Sequence, residues 1–166
     1  LYYAPGVCSL SPHIVLEESG LPYESELVDL QRKTTASGAD YFGINPNGYV
    51  PALRLDSGEV LTEGPAIVQY LADLVPDKGL APPAGTLERV RLQSWLHFIG
   101  SELHKSCGVF FNPAAKDDWK AAARANLERR LARVDAHLAE RNVLVGDRFT
   151  VADAYLYNVQ RWLKPI

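Results

Sequence analysis

Cys8 is the residue best placed to react. It lies in Val7-Cys8-Ser9-Leu10-Ser11, where a strand and loop give way to a helix candidate. A helix start offers unpaired N–H groups and the positive end of the helix dipole, and both favour thiolate. Its pKa is therefore expected below that of an ordinary cysteine. No second thiol stands in a C-x-x-C position, so Cys8 cannot close a local disulfide, and a small external thiol is its natural partner. The plain alternative is a buried cysteine that packs as a small hydrophobe. Position at a helix start favours the reactive reading. Ser9 and Ser11 are the neighbouring hydroxyls that could steady a second thiolate.

Three further segments carry candidate chemistry. Val50-Pro51 opens a strand, and a cis bond there would free the Val50 backbone to pair with an extended peptide ligand. From the dipeptide alone an ordinary strand-initial proline is expected. Thr62-Glu63-Gly64-Pro65 ends a strand and opens a helix. Glu63 could take a ligand ammonium and the helix N-terminus its carboxylate, but the motif alone reads as an acid complementing the dipole. His104-Lys105 falls late in a helix, where a cation needs no function. His104 could nonetheless support the Cys8 thiolate, as a cation or as a base, and Lys105 could attract an anion. Cys107 and the three tryptophans, Trp95, Trp119 and Trp162, read as packing.

The elements that must position these residues fall into two groups. Leu1-Tyr2-Tyr3 is a short strand, Ser9–Ser19 a helix stopped by Gly20, and Glu24–Leu30 an alternating strand. Gly38–Ile44 is a short segment. Pro51–Leu55 and Glu59–Thr62 form a hairpin about Asp56-Ser57-Gly58, and Gly64-Pro65 opens a helix. The order β-α-β-α-β-β-α is that of the thioredoxin fold. Residues 76–86, rich in Pro and Gly, read as a linker. Beyond it Leu92, Trp95/Leu96, Ile99 and Leu103, then Leu127, Leu131, Val134 and Leu138, recur at helical spacing. Thr150-Val151-Ala152-Asp153 is a capping-box variant that starts a last helix running into Pro165. The expected architecture is an α+β thioredoxin-like domain over 1–75, then an all-α domain over 87–166.

Composition narrows the function classes. Seventeen Lys and Arg against 20 Asp and Glu leave a net charge of −3, no global reason to bind nucleic acid. Residues 1–75 carry 3 basic and 10 acidic side chains, and residues 76–166 carry 14 and 10. No apolar run approaches the ~20 residues needed to span a bilayer. No secretory signal opens the chain, and the two cysteines and four dispersed histidines form neither a disulfide framework nor a zinc motif. A cytoplasmic protein without metal or membrane is expected. The chain begins at Leu1 without Met, and both ends read as cut.

Five stretches together resemble the bacterial beta-class glutathione transferases: Tyr2–His13, Asn45–Leu53, Leu61–Ile67, Ser101–Lys105 and Gly146–Tyr155. Members of that family usually run a helix or more further, so the resemblance implies truncation at the C-terminus. It also implies a cytoplasmic homodimer whose thioredoxin-like domain binds glutathione as co-substrate, and a small hydrophobic electrophile as second substrate. It places the catalytic cysteine at Cys8 with His104 beside it. Val50, before a cis Pro51, would pair with the cysteinyl group, and Glu63 and Gly64 would hold the γ-glutamyl end. Lys33 and Lys105 would lie near the carboxylates and sulfur, and Glu102 would reach the ligand ammonium of the other subunit. Many relatives have a hydroxyl where this chain has Gly64, which leaves only the backbone N–H. Phe110-Phe111 and Cys107 are candidates to line the electrophile pocket. A non-enzymatic ligand-binding or regulatory protein on the same scaffold is the alternative.

Overall fold

A computed structural model describes residues 1–164. It divides the chain into two compact units, Leu1–Leu80 and Ala81–Ile166.

The first unit contains β1 (Tyr2–Tyr3), α1 (Leu10–Ser19), β2 (Glu26–Asp29), β3 (Thr34–Thr35), β4 (Ala52–Arg54), β5 (Val60–Thr62) and α2 (Gly64–Leu74). The strands form one sheet in the order β3-β2-β1-β4-β5. β1 and β2 run parallel, with Tyr2 opposite Glu26, as a helical crossover through α1 requires. The other pairs are antiparallel, with Tyr2 opposite Ala52 and Ala52 opposite Thr62. This is the thioredoxin-like arrangement, with one local difference. The second helix of the expected order does not form. The β-branched pair Thr34–Thr35 makes β3 instead, and the 38–44 segment yields only a 3-10 turn at Tyr41–Gly43. Gly38 at φ 90° and Pro46 bracket a stretch too short for helix nucleation.

α1 stops at Gly20, whose left-handed φ of 72° lets its N–H close back on the Leu16 and Glu17 carbonyls. Pro12 falls in its first turns, where the lost donor is tolerated. α1 packs against α2, and α2 against β4 and β5. Val15, Leu16, Ile67, Val68 and Leu71 are all buried. A second cluster joins Tyr2, Ala4, Val28, Tyr41, Val50 and Ala52. Val50 is thus anchored by apolar burial immediately beside the candidate chemistry.

The second unit is helical: α3 (Leu87–Phe98), α4 (Lys105–Gly108), α5 (Asp117–Leu138) and α6 (Val151–Gln160). A π-helical turn, Ile99–His104, joins α3 to α4 without a break. Leu92, Leu96, Ile99, Leu103 and Cys107 form one buried stripe along this rod. The stripe packs against α5 and α6. Thr86 caps α3 by accepting from the Arg89 N–H. At the start of α6 the Asp153 carboxylate accepts from the Thr150 N–H, the Thr150 hydroxyl and the Leu144 N–H, each at 2.8 Å. The Asp variant of the capping box therefore works and also ties down the preceding loop. Trp119 is not core: it is half exposed on α5, whose charged residues leave only Leu127 and Val134 fully buried. Pro165, where the sequence ends the last helix, lies outside the described residues. Among the described residues, no helix is long and apolar enough to cross a membrane.

Candidate functional site

In the first unit the start of α1, the turn before β4 and the start of α2 converge. A carbon built on Gly64 in place of its hydrogen would stand 3.7 Å from Pro51 Cγ and 3.8 Å from Ser11 Oγ. The Val50–Pro51 bond is cis. The half-buried Cys8 thiol donates to the Val50 carbonyl, with Sγ 2.8 Å from the oxygen.

The surroundings of Cys8 correct its expected ionisation. Burial raises its pKa most, its own N–H and that of Ser9 lower it, and the Glu63 charge raises it. The outcome is a thiol pushed up to about 11, not a thiolate favoured by a helix start. The helix-dipole argument fails because α1 begins two residues later, at Leu10, and desolvation outweighs the two amides. Burial pushes Cys107 up to about 11 as well. The two thiols differ in access, since Cys107 is fully buried. Neither neighbouring hydroxyl is free for a ligand thiolate. Ser9 accepts from the Ala4 N–H and donates to the Ala4 carbonyl, and Ser11 donates to the Cys8 carbonyl.

Glu63 follows β5 and precedes α2 with φ 65° and ψ 106°, a region a side chain rarely adopts. Its carbonyl accepts from the Ala66 and Ile67 N–H groups. Its carboxylate does not cap the helix, and the residue is exposed. The acid is thus held at the helix start without serving as a plain cap.

The turn that delivers Val50 is built by residues for which the sequence reading had no role. Gly48 closes a turn onto the Asn45 carbonyl, and the Asn45 side chain accepts from the Asn47 N–H. The Tyr41 hydroxyl and the Asn45 amide both donate to the Tyr49 carbonyl, at 2.8 and 2.7 Å. Asn-Pro-Asn-Gly is a turn signature, so Asn45 was findable; Tyr41 was not. Lys33, itself at φ 57°, donates from Nζ to the Gly48 carbonyl at 2.8 Å. It lies 5.8 Å from the centre of the exposed Tyr49 ring.

The second unit holds its own cluster. His104 is not at a helix C-terminus: it ends the π turn, and the rod continues through α4. Its Nδ1 lies 2.8 Å from the Tyr155 hydroxyl, and its ring meets Trp162 edge-on at 4.8 Å. Burial, helped by the Lys105 charge, lowers its pKa from 6.5, so the ring is neutral at pH 7. Lys105 is exposed. Glu102 is paired with Arg130 of α5, its Oε2 2.5 Å from Nε. An open groove of about 400 Å³ beside this pair is lined by Phe98, Glu102, Arg129, Arg130 and Arg133. Arg133 stacks over Phe98 and Trp95. Phe111 is exposed, and Arg124 covers the Phe110 ring.

Comparison with known proteins agrees with this construction. Residues 7–74 match the glutathione S-transferase N-terminal domain, and residues 98–166 match the C-terminal domain. Glutathione S-transferase GstA of Escherichia coli O157:H7 is 48% identical over 98% of this chain and 81% of its own length. A sphingomonad glutathione S-transferase solved with glutathione superposes with a TM-score of 0.94 at 50% identity, over 98% of this chain and 81% of that one. A beta-class enzyme from Sphingomonas chungbukensis gives 0.93 at 46%, with the same coverage. The non-enzymatic alternative gives way, and the chain belongs to the glutathione S-transferase family of transferase enzymes.

Proposed function

We propose that the protein conjugates glutathione to small hydrophobic electrophiles and also exchanges thiols through Cys8. The observation that carries this reading is the convergence of Cys8, the Val50-Pro51 backbone and the Glu63-Gly64 helix start in one unit. Glu63 faces no capping duty and suits the γ-glutamyl ammonium, while the Gly64 N–H suits its carboxylate. The Val50 backbone suits the cysteinyl amide as an added strand. Lys33 is the cation that this unit supplies for the carboxylates.

In conjugation the glutathione thiolate attacks the electrophilic carbon and the leaving group departs with its electron pair. In thiol exchange the Cys8 thiolate attacks one sulfur of oxidised glutathione. A Cys8–glutathione disulfide forms and glutathione thiolate leaves. His104, neutral and aligned by Tyr155, is suited to act as a base rather than as a cation.

The assembly that fits is a cytoplasmic homodimer. The arginines of α5 around the open groove complement the acidic first unit of a second copy. Glu102, held by Arg130 at that groove, is the candidate to meet the partner's ligand ammonium.

Intact mass and peptide mapping after oxidised glutathione test the reading. One glutathionyl adduct at Cys8 is expected, lost in Cys8→Ala and kept in Cys107→Ala. An adduct on Cys107 would remove Cys8 from the reaction. Light scattering should return twice the subunit mass, and a monomer at micromolar concentration would remove the dimer.

A further inference from the structure

In the free protein burial keeps Cys8 a thiol, two neighbouring groups add to that, and glutathione has a counterpart for each. The Val50 carbonyl accepts the S–H at 2.8 Å, and the Glu63 carboxylate sets a negative charge near the sulfur. We propose that the peptide arms its own enzyme: its cysteinyl N–H engages the Val50 carbonyl, its ammonium neutralises Glu63, and each of the two contacts favours ionisation of Cys8. This rests on the proposed glutathione reading and deepens it.

The argument is local. A strand-like partner at Val50 brings the positive end of an amide beside Sγ while competing for the oxygen that steadies the S–H. The thiol proton passes to water at the half-exposed mouth. The thiolate left behind has the Cys8 and Ser9 N–H groups, which already favour it. The ionisable group of this unit that acts on Cys8 is Glu63 on the α2 side; the buried Tyr41 phenol, pushed up to about 12 mainly by burial, is neutral throughout the physiological range. Only Glu63 carries a charge that a ligand can cancel.

The arrangement has a purpose suited to a protein that meets electrophiles. A cysteine that stayed a thiolate in the empty site would be alkylated by the second substrate. Held as a thiol, it is inert until glutathione is seated.

The test uses γ-glutamyl-alanyl-glycine, which keeps the ammonium, amide and carboxylates and lacks a thiol, with the full chain carrying Cys107→Ala. Ultraviolet thiolate absorbance is followed from pH 6 to about 9, below tyrosine ionisation, with Cys8→Ala/Cys107→Ala as the blank. Calorimetry on the same samples reports peptide binding. Without peptide no thiolate should titrate in this range. Saturating peptide should bring the titration into this range, a fall of at least about two pH units and a roughly hundredfold gain in thiolate at neutral pH. Glu63→Gln should show part of that shift with no peptide present. Peptide that binds without changing the thiolate signal overturns the inference and leaves the glutathione reading standing. Absence of binding removes both. A thiolate already present at pH 7 in the free protein, or a Glu63→Gln titration identical to the parent's, also overturns it.

Discussion

Replacing Glu63 should separate stability from ligand binding, because its backbone and its carboxylate do different things. At φ 65° and ψ 106° the residue sits where a side chain costs about 1–3 kcal/mol. Glu63→Ala keeps a Cβ, so the strain stays and intrinsic stability should change by less than about 0.5 kcal/mol, as at other exposed positions. Glu63→Gly relieves the strain but adds about 0.5–1 kcal/mol of unfolded-state entropy to be overcome. The net gain expected is about 0.5–2 kcal/mol, or roughly 1–8 °C in Tm at ~2–4 °C per kcal/mol for a chain of this size. Saturating glutathione, at a hundredfold excess over Kd, should stabilise the parent by about 2.7 kcal/mol. Both variants should lose much of that increment, having lost the partner for the ammonium. Urea unfolding with and without glutathione measures all four quantities. A Glu63→Gly less stable than Glu63→Ala would refute the strain argument. Retention of the full glutathione increment in both would refute the assignment of Glu63 to the ligand.

Three further outcomes follow from the geometry. Gly48→Ala should cost about 1–2 kcal/mol in urea unfolding, because its φ is 66° and its new Cβ would stand 2.8 Å from Phe42 Cε1; adding Phe42→Ala should recover only the steric part. Gly64→Ser should fold normally, since its Cβ meets only ordinary contacts, and should tighten glutathione binding by calorimetry through an added hydroxyl. His104 should make the fold acid-sensitive: above pH 6.5 both states are neutral there, and below it the unfolded chain binds a proton the folded ring resists, so stability falls as pH drops. His104→Gln should flatten that slope in thermal melts between pH 7 and 5.

The sequence made visible the features that depend on local pattern. The β1-α1-β2 crossover, the hairpin about Ser57-Gly58 and the Thr150–Asp153 cap all rest on turn residues, spacing and caps. What it hid depends on depth and on distant partners. A helix-start cysteine reads as a thiolate when only its neighbours in the chain are visible. Burial keeps Cys8 protonated, and the carbonyl that accepts its S–H comes from Val50, 42 residues away. The π turn was invisible because Leu92, Leu96, Ile99 and Leu103 step by four, three and four, as in an ordinary helix. Thr34–Thr35 was passed over because two residues are too few for alternation to show. Tyr41 has no local mark at all, since its value lies in reaching the Tyr49 carbonyl.

The π turn also constrains how the chain can change in length. Each residue of an α-helix advances about 100° around the axis, and a wide turn absorbs a residue that a regular helix could not place. Removing one residue between Ile99 and His104 would therefore let the rod relax into a regular helix with Cys107 still in the buried stripe, whereas removing one from α3, between Leu92 and Leu96, meets no such slack. Everything after that α3 deletion would rotate by roughly 100° against what precedes it. Cys107 would turn out of the buried stripe, and His104 would leave the Tyr155 hydroxyl. A segment with no conspicuous sequence feature is thus where the rod should tolerate the loss of one residue, and the regular α3 is where it should not.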